Sequence, residues 1–99
     1  MTYKLYFFKS AKKEWDKLSP EIREQFKKKL AKCLQEPHIQ NNKLSGMTNC
    51  YKIKLRNIGY RLVYQVKDNE LIVAVVSVGM RDKNLVYRLA ELRLNDQAQ

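Results

Sequence analysis

Tyr51-Lys52-Ile53-Lys54-Leu55-Arg56-Asn57-Ile58-Gly59-Tyr60-Arg61-Leu62-Val63-Tyr64-Gln65-Val66 is the stretch on which the fold turns. Tyr51, Ile53 and Leu55 alternate with Lys52 and Lys54, the two-residue period of a half-buried strand. Tyr60, Leu62, Tyr64 and Val66 repeat the pattern, opposite Arg61, Val63 and Gln65. Between the two runs, Arg56-Asn57-Ile58-Gly59 reads as a short hairpin loop, with Gly59 free to take positive φ at its end. An even number of loop residues sets Leu55 against Tyr60 and Lys54 against Arg61.

Downstream, Lys67-Asp68-Asn69-Glu70 reads as a second turn. The run Leu71 to Val78 is apolar at nearly every position, as expected of a central strand covered on both faces. Gly79 to Arg81 is expected to leave the sheet. Leu85, Leu89 and Leu92 then mark a last helix, begun near Asp82 and frayed by Asn95.

Upstream, residues 2–8 are rich in aromatics and free of breakers, which suits an opening strand. Ser10 is placed to cap a short helix carrying Ala11, Trp15 and Leu18 on one face. Ser19-Pro20-Glu21 gives a cap, a first-turn proline and an acid suited to the helix dipole. Ile22, Phe26, Leu30 and Cys33 continue at helical spacing until Pro37, and 38–49 reads as a loop. The expected order is βααβββα in a single α+β domain over 1–99, its mainly antiparallel sheet backed by helices on one side.

A chain of 99 residues buries only about 60–65% of its unfolded surface, so its core is small. Twenty Lys and Arg against ten Asp and Glu leave a formal charge of +10. The excess lies in both halves, eleven basic against five acidic residues in 1–50 and nine against five in 51–99. A folded body so charged repels itself, and a polyanion that sheds counterions on binding relieves that repulsion, which favours nucleic acid as partner. No apolar run reaches the ~20 residues of a membrane span, and the start lacks the pattern of a signal peptide. A cytoplasmic protein with no membrane partner is expected, with Cys33 and Cys50 reduced and structural.

Chemistry is expected on the polar face of the hairpin. Lys52 and Lys54 emerge from one face roughly 6.6–7 Å apart, and Arg61 stands across from Lys54. Like charges opposed across a sheet are unfavourable, whereas a bound phosphate neutralises all three. A lysine in such company has a depressed pKa and accepts a proton more readily. The plainer alternative is that these lysines line the wet face of a half-exposed sheet.

Arg81 is suited to a phosphate oxygen, and Tyr87 to stacking on a base or exchanging a proton, or else to a half-buried helix position. Lys12, Lys13, Lys17, Lys27, Lys28, Lys29 and Lys32 either grip structured RNA or form solvated helix faces. His38 is solitary, with no second histidine to complete an acid–base pair. The sequence shows no metal constellation, and no cofactor is expected.

The segment Asn42 to Val66, with Val76-Ser77-Val78-Gly79-Met80-Arg81 and Tyr87, closely resembles the RelE messenger-RNA interferases of bacterial toxin–antitoxin modules. The likeness extends to Lys12-Lys13-Glu14-Trp15 and to Arg23-Glu24-Gln25-Phe26-Lys27-Lys28-Lys29-Leu30, and so covers nearly the whole chain. It implies a RelE/ParE-like fold and a toxin that enters the ribosomal A site and cuts messenger RNA without metal. It implies attack by the messenger's own 2′-hydroxyl on the adjacent phosphate, leaving a 2′,3′-cyclic phosphate.

By the same resemblance the catalytic positions are Lys52, Lys54, Arg61, Arg81 and Tyr87. Lys54, with or without Lys52, takes the 2′-hydroxyl proton, Arg61 stabilises the phosphorane, Arg81 serves the leaving oxygen and Tyr87 orients a base. Lys12, Lys13, Lys27, Lys28, Lys32 and Arg56 are the expected contacts to RNA and small-subunit rRNA. A RelB-like antitoxin is implied as partner, and operator DNA only for the toxin–antitoxin complex.

Family members often carry basic residues where this chain has Ser45 and Met80, so the resemblance supports RNA cleavage more strongly than ribosome dependence. The rival expectations are a ParE-like gyrase inhibitor and a basic RNA-binding module without catalysis.

Overall fold

The computed structural model describes residues 2–80 and 84–96. Its elements are β1 (Lys4–Phe7), α1 (Lys9–Asp16), α2 (Pro20–Gln35), β2 (Cys50–Leu55), β3 (Tyr60–Lys67), β4 (Ile72–Met80) and α3 (Leu85–Asp96). The expected βααβββα order is the observed one. A single turn of 3-10 helix, Gln40–Asn42, interrupts the loop before β2.

The strands lie in the order β1-β4-β3-β2. β2 with β3 and β3 with β4 are antiparallel, while β1 joins β4 in parallel, so the sheet is mixed. The hairpin register is the one that the even loop dictates: Leu55 faces Tyr60 and Lys54 faces Arg61. Gly59 closes the loop at φ 69°, its N–H donating to the Leu55 carbonyl at 2.9 Å.

Between β3 and β4 the register shifts by one residue. Val63 faces Ser77 but Tyr64 faces Val75, which leaves Val76 as an extra residue in β4. Such a bulge interrupts the alternation of faces.

One face of the sheet carries Tyr51, Ile53, Tyr64 and Val75, and α1 and α2 cover it. Phe7 packs at a tilt against Trp15 at 5.2 Å between centroids, Trp15 meets Phe26 at 6.2 Å, and the Tyr64 hydroxyl donates to the Pro37 carbonyl. Phe26, Leu30 and Cys33 are buried as their spacing predicts. The Ser19 cap is also as expected, its Oγ accepting from the Ile22 N–H.

Four expectations need correction. α3 does not join α1 and α2 on one side: it packs on the opposite face, where the Val86 carbonyl accepts from Ser77 Oγ at 2.7 Å and Val86 lies close over Gly79. Spacing gives each helix an apolar stripe but not the sheet face it covers. The stripe of α3 is itself different, since Val86 and Ala90 are buried while Leu85 and Leu92 are 47% and 65% exposed.

β4 does not end before Gly79 but runs through Met80, because Arg61 and Tyr60 pair with those two residues. Finally, Ser10 lies inside α1 rather than capping it; Phe8 is the cap, its carbonyl accepting from the Lys12 N–H. The expected helix start at Asp82 lies outside the described residues, and Asn84, with φ 62°, precedes the first helical residue Leu85.

Beyond Phe7, β1 no longer covers the edge of β4. Side chains take over there. The Val78 N–H donates to Glu14 Oε1 at 3.2 Å, and the Val76 carbonyl accepts from Arg93 Nη1 at 2.9 Å. Glu14 and Arg93 also form a two-pronged ion pair at 2.8 and 2.9 Å. The exposed ladder is thereby satisfied and α3 is fastened to α1.

Candidate active site

The β2–β3 hairpin presents Lys52, Lys54 and Arg61 on the face of the sheet that α3 partly covers. Lys52 faces Val63 and Lys54 faces Arg61 across the ladder, so strand pairing alone brings the three cations together. Arg61 is only 8% exposed, and its guanidinium donates to the Tyr60 carbonyl at 3.0 Å. The ion pairs among the described residues join Lys12 to Asp16, His38 to Asp68 and Arg93 to Glu14. No carboxylate among them meets Arg61, Lys52 or Lys54.

The electrostatic consequence falls on Lys54. Its pKa is held below the ordinary lysine value, chiefly by the charge of Lys52, then by partial desolvation, a hydrogen bond with Lys52, and the charges of Arg61 and Arg56. This is the environment that makes an ammonium give up its proton. A half-buried cluster of this kind binds an anion and offers a base beside it, a combination suited to phosphoryl chemistry.

Tyr87 sits half-buried near the start of α3, packed against the core. Its neighbour Val86 lies over Gly79, the ladder partner of Arg61, so this end of α3 stands beside the cationic cluster. Arg81 lies outside the described residues.

The remaining basic residues are dispersed. Lys12 is exposed, bound to Asp16 at 2.7 Å and poised over the Phe7 ring; Lys13 is exposed on α1; Lys27 and Lys28 are exposed on α2. Lys32 and Arg56 come together at a groove between α2 and β2, of about 560 Å³, which Lys54 also lines. Sequence reasoning missed Gln25, Asn42 and Asn57 in that groove. The spacing of Gln25, Lys29 and Lys32, at i, i+4 and i+7, was the available signal. Ser45 is exposed in the loop, and Met80 is 60% exposed at the end of β4.

His38 takes a structural position. Its Nδ1 lies 3.0 Å from the Tyr51 hydroxyl and its Nε2 2.8 Å from Asp68 Oδ1, which also accepts from the Tyr3 hydroxyl at 2.6 Å. Both cysteines are buried, and burial pushes the Cys50 thiol up to about 11. Among the described residues, no group of acidic, histidine or cysteine side chains is arranged to hold a metal ion, and no helix is long and apolar enough to cross a membrane.

Residues 5–85 match the family described as the ParE toxin of type II toxin–antitoxin systems. The chain is also 54% identical over 94 residues to the mRNA interferase toxin RelE of Escherichia coli strain K12, covering 95% of this chain and 99% of that protein. Its structure superposes on a doubly arginine-substituted E. coli RelE in the free state with a TM-score of 0.88, at 53% identity, covering 95% and 99% of the two chains. It matches the toxin of the intact E. coli RelBE complex with a TM-score of 0.79, at 56% identity, covering 81% and 98%. Within a family described under the ParE toxin, this chain belongs to the RelE messenger-RNA interferase toxins of type II toxin–antitoxin systems.

Proposed function

We propose that the protein cleaves messenger RNA in the ribosomal A site, using Lys52, Lys54, Arg61, Arg81 and Tyr87 and no metal. The observation that carries this reading is the cluster itself: a nearly buried Arg61 opposite a lysine of depressed pKa, with no carboxylate among the described residues to pair them. Fold stability has no use for that arrangement, whereas a phosphodiester supplies the missing negative charge.

In the proposed reaction, neutral Lys54 takes the proton from a ribose 2′-hydroxyl. The 2′-oxygen forms a bond to the adjacent phosphorus, and the bond from phosphorus to the 5′-oxygen breaks. Arg61 holds the oxygens that gain charge in the transition state, and Lys52 keeps Lys54 from retaining its own proton. Arg81 directs its N–H groups at the leaving oxygen, which takes a proton from solvent and ends as a 5′-hydroxyl. Tyr87 stacks on a base and aligns the attack. The other product is a 2′,3′-cyclic phosphate.

Lys12, Lys13, Lys27, Lys28, Lys32 and Arg56 are read as contacts to RNA and rRNA, their dispersal suiting a large, backbone-reading surface. A RelB-like antitoxin is supported by relatives solved as toxin–antitoxin complexes, and operator DNA is proposed as a ligand of the assembled complex alone. A cytoplasmic location follows from the ribosome as target.

The family description under ParE keeps gyrase inhibition as the alternative. The 54% identity to RelE and the phosphate-suited cluster favour RNA cleavage. Primer extension on a defined messenger in programmed ribosomes tests this, with intact protein, the double variant Lys54→Ala and Arg81→Ala, and free RNA as control. Cuts at the A-site codon only with intact protein and ribosomes are expected. Absence of cuts in every arm would overturn the nuclease reading.

A further inference from the structure

The groove between α2 and β2 has a chemistry of its own. Lys29, Lys32 and Arg56 stand at its walls, Lys54 borders it from the other face of the edge strand β2, and no acidic residue among the described ones lines it. Its floor is apolar, formed by Cys33, Ile39, Ile53 and Leu55, of which all but Ile39 are buried. Gln25, Asn42 and Asn57 supply amide groups at the rim. At about 560 Å³ it lies within the size range of small-ligand sites, about 300–1,000 Å³.

Each part matches a different part of one kind of ligand. Cations without a counter-charge among the described residues suit phosphate, an apolar floor suits the flat face of a base, and amides suit its donor and acceptor edge. Lys54 borders this groove at the sheet's edge strand and belongs to the cluster with Lys52 and Arg61, so the two sites adjoin across that edge. A strand lying across the cluster therefore reaches the groove with a neighbouring residue.

We infer that the α2–β2 groove is a nucleotide subsite, which seats a base of single-stranded RNA flanking the scissile phosphate and reads its edge with Gln25, Asn42 and Asn57. This rests on the RNA-cleavage reading for its purpose, but not for its binding chemistry. An acidic peptide would also meet these cations, yet it has no need of an apolar floor with amide groups beside it.

The test follows methyl resonances of Ile39, Ile53 and Leu55 in the intact protein, titrated separately with the four nucleoside 5′-monophosphates, inorganic phosphate and an oligoglutamate peptide. Saturable methyl shifts with at least one monophosphate, absent with phosphate and peptide, are expected. Silent methyls, shifts equal to those from inorganic phosphate, or stronger shifts from the peptide would each overturn the inference.

A second arm uses Gln25→Ala, Asn42→Ala and Asn57→Ala in the cleavage assay. At least one should change nucleotide preference about tenfold at a single position beside the cut, the scale of one lost hydrogen bond. Unchanged preference in all three would refute the reading of the base edge. Methyl shifts without any RNA cleavage by intact protein would leave the groove standing and sink the nuclease reading alone.

Discussion

Two places in this small sheet gather charge, and they do so in opposite ways. At the open edge of β4, Glu14 and Arg93 satisfy each other and two backbone groups that β1 leaves uncovered. On the β2–β3 hairpin, Lys52, Lys54 and Arg61 share a face without a carboxylate among the described residues. Charges that serve the fold arrive with their partners. Those of the hairpin find no acidic partner among the described residues, and this contrast marks function more sharply than charge alone.

The sharpest way to break the contrast is to delete one member of each group. Lys54→Ala removes the proposed proton acceptor and should reduce cleavage by about 10²–10⁴-fold. It also removes a like charge from the cluster, so thermal unfolding should stay where it is or move upward. A clear loss of Tm together with activity would place Lys54 in the structural class and refute the division.

Glu14→Ala should do the reverse to stability. It strands the Arg93 guanidinium, only 11% exposed, and leaves the Val78 N–H without its acceptor. The expected cost is about 2 kcal/mol, or a Tm lowered by roughly 10 °C. A double variant with Arg93→Leu should recover part of that loss, because the unpaired charge is then gone. If Glu14→Ala unfolds no earlier than the intact protein, the edge closure is not an essential part of the fold.

The two groups were unequally legible in the sequence. The hairpin cluster follows from period two and an even loop, both local, so Lys54 opposite Arg61 could be placed before any coordinates. The Ser19-Pro20 start of α2 is legible for the same reason. The Glu14–Arg93 closure joins residues 79 apart in the chain, and it depends on β1 ending at Phe7 and on the extra residue Val76.

No local pattern carries those events. The face of α3 failed for a related cause: leucines outnumber its small residues, yet it is Val86, over Gly79, and Ala90 that are buried while Leu85 and Leu92 stay exposed. Which side of the helix meets the sheet is set by the path of the chain, not by its leucines. In the groove, Lys29 was legible as a charge, but its relation to Asn42 and Asn57 required the tertiary fold.

The contrast sharpens further in the pH profile. Lys54 acts as an acceptor only when neutral, and its depressed pKa lowers the pH at which that form appears. Cleavage should therefore rise with pH and level off below the ordinary lysine range. Lys52→Ala removes the largest cause of the depression, so the inflection should move to higher pH. An inflection unmoved by Lys52→Ala would mean that another group titrates.

The smallest effect belongs to an intermediate case, the exposed network of Tyr3, His38 and Asp68. Here a charge is paired but stays in water, where screening leaves little net gain. The Tyr3 hydroxyl, followed by His38, holds the Asp68 carboxyl below its usual pKa. A carboxyl lowered on folding contributes stability above its unfolded pKa, about 3.9, and loses it as pH falls through the folded value. Asp68→Asn should thus lower Tm slightly at pH 7, and the difference should vanish once the intact protein is protonated at that site. A gap that persists in acid would assign the contribution to hydrogen bonding rather than to charge, which would move this network from the electrostatic side of the comparison to the structural one.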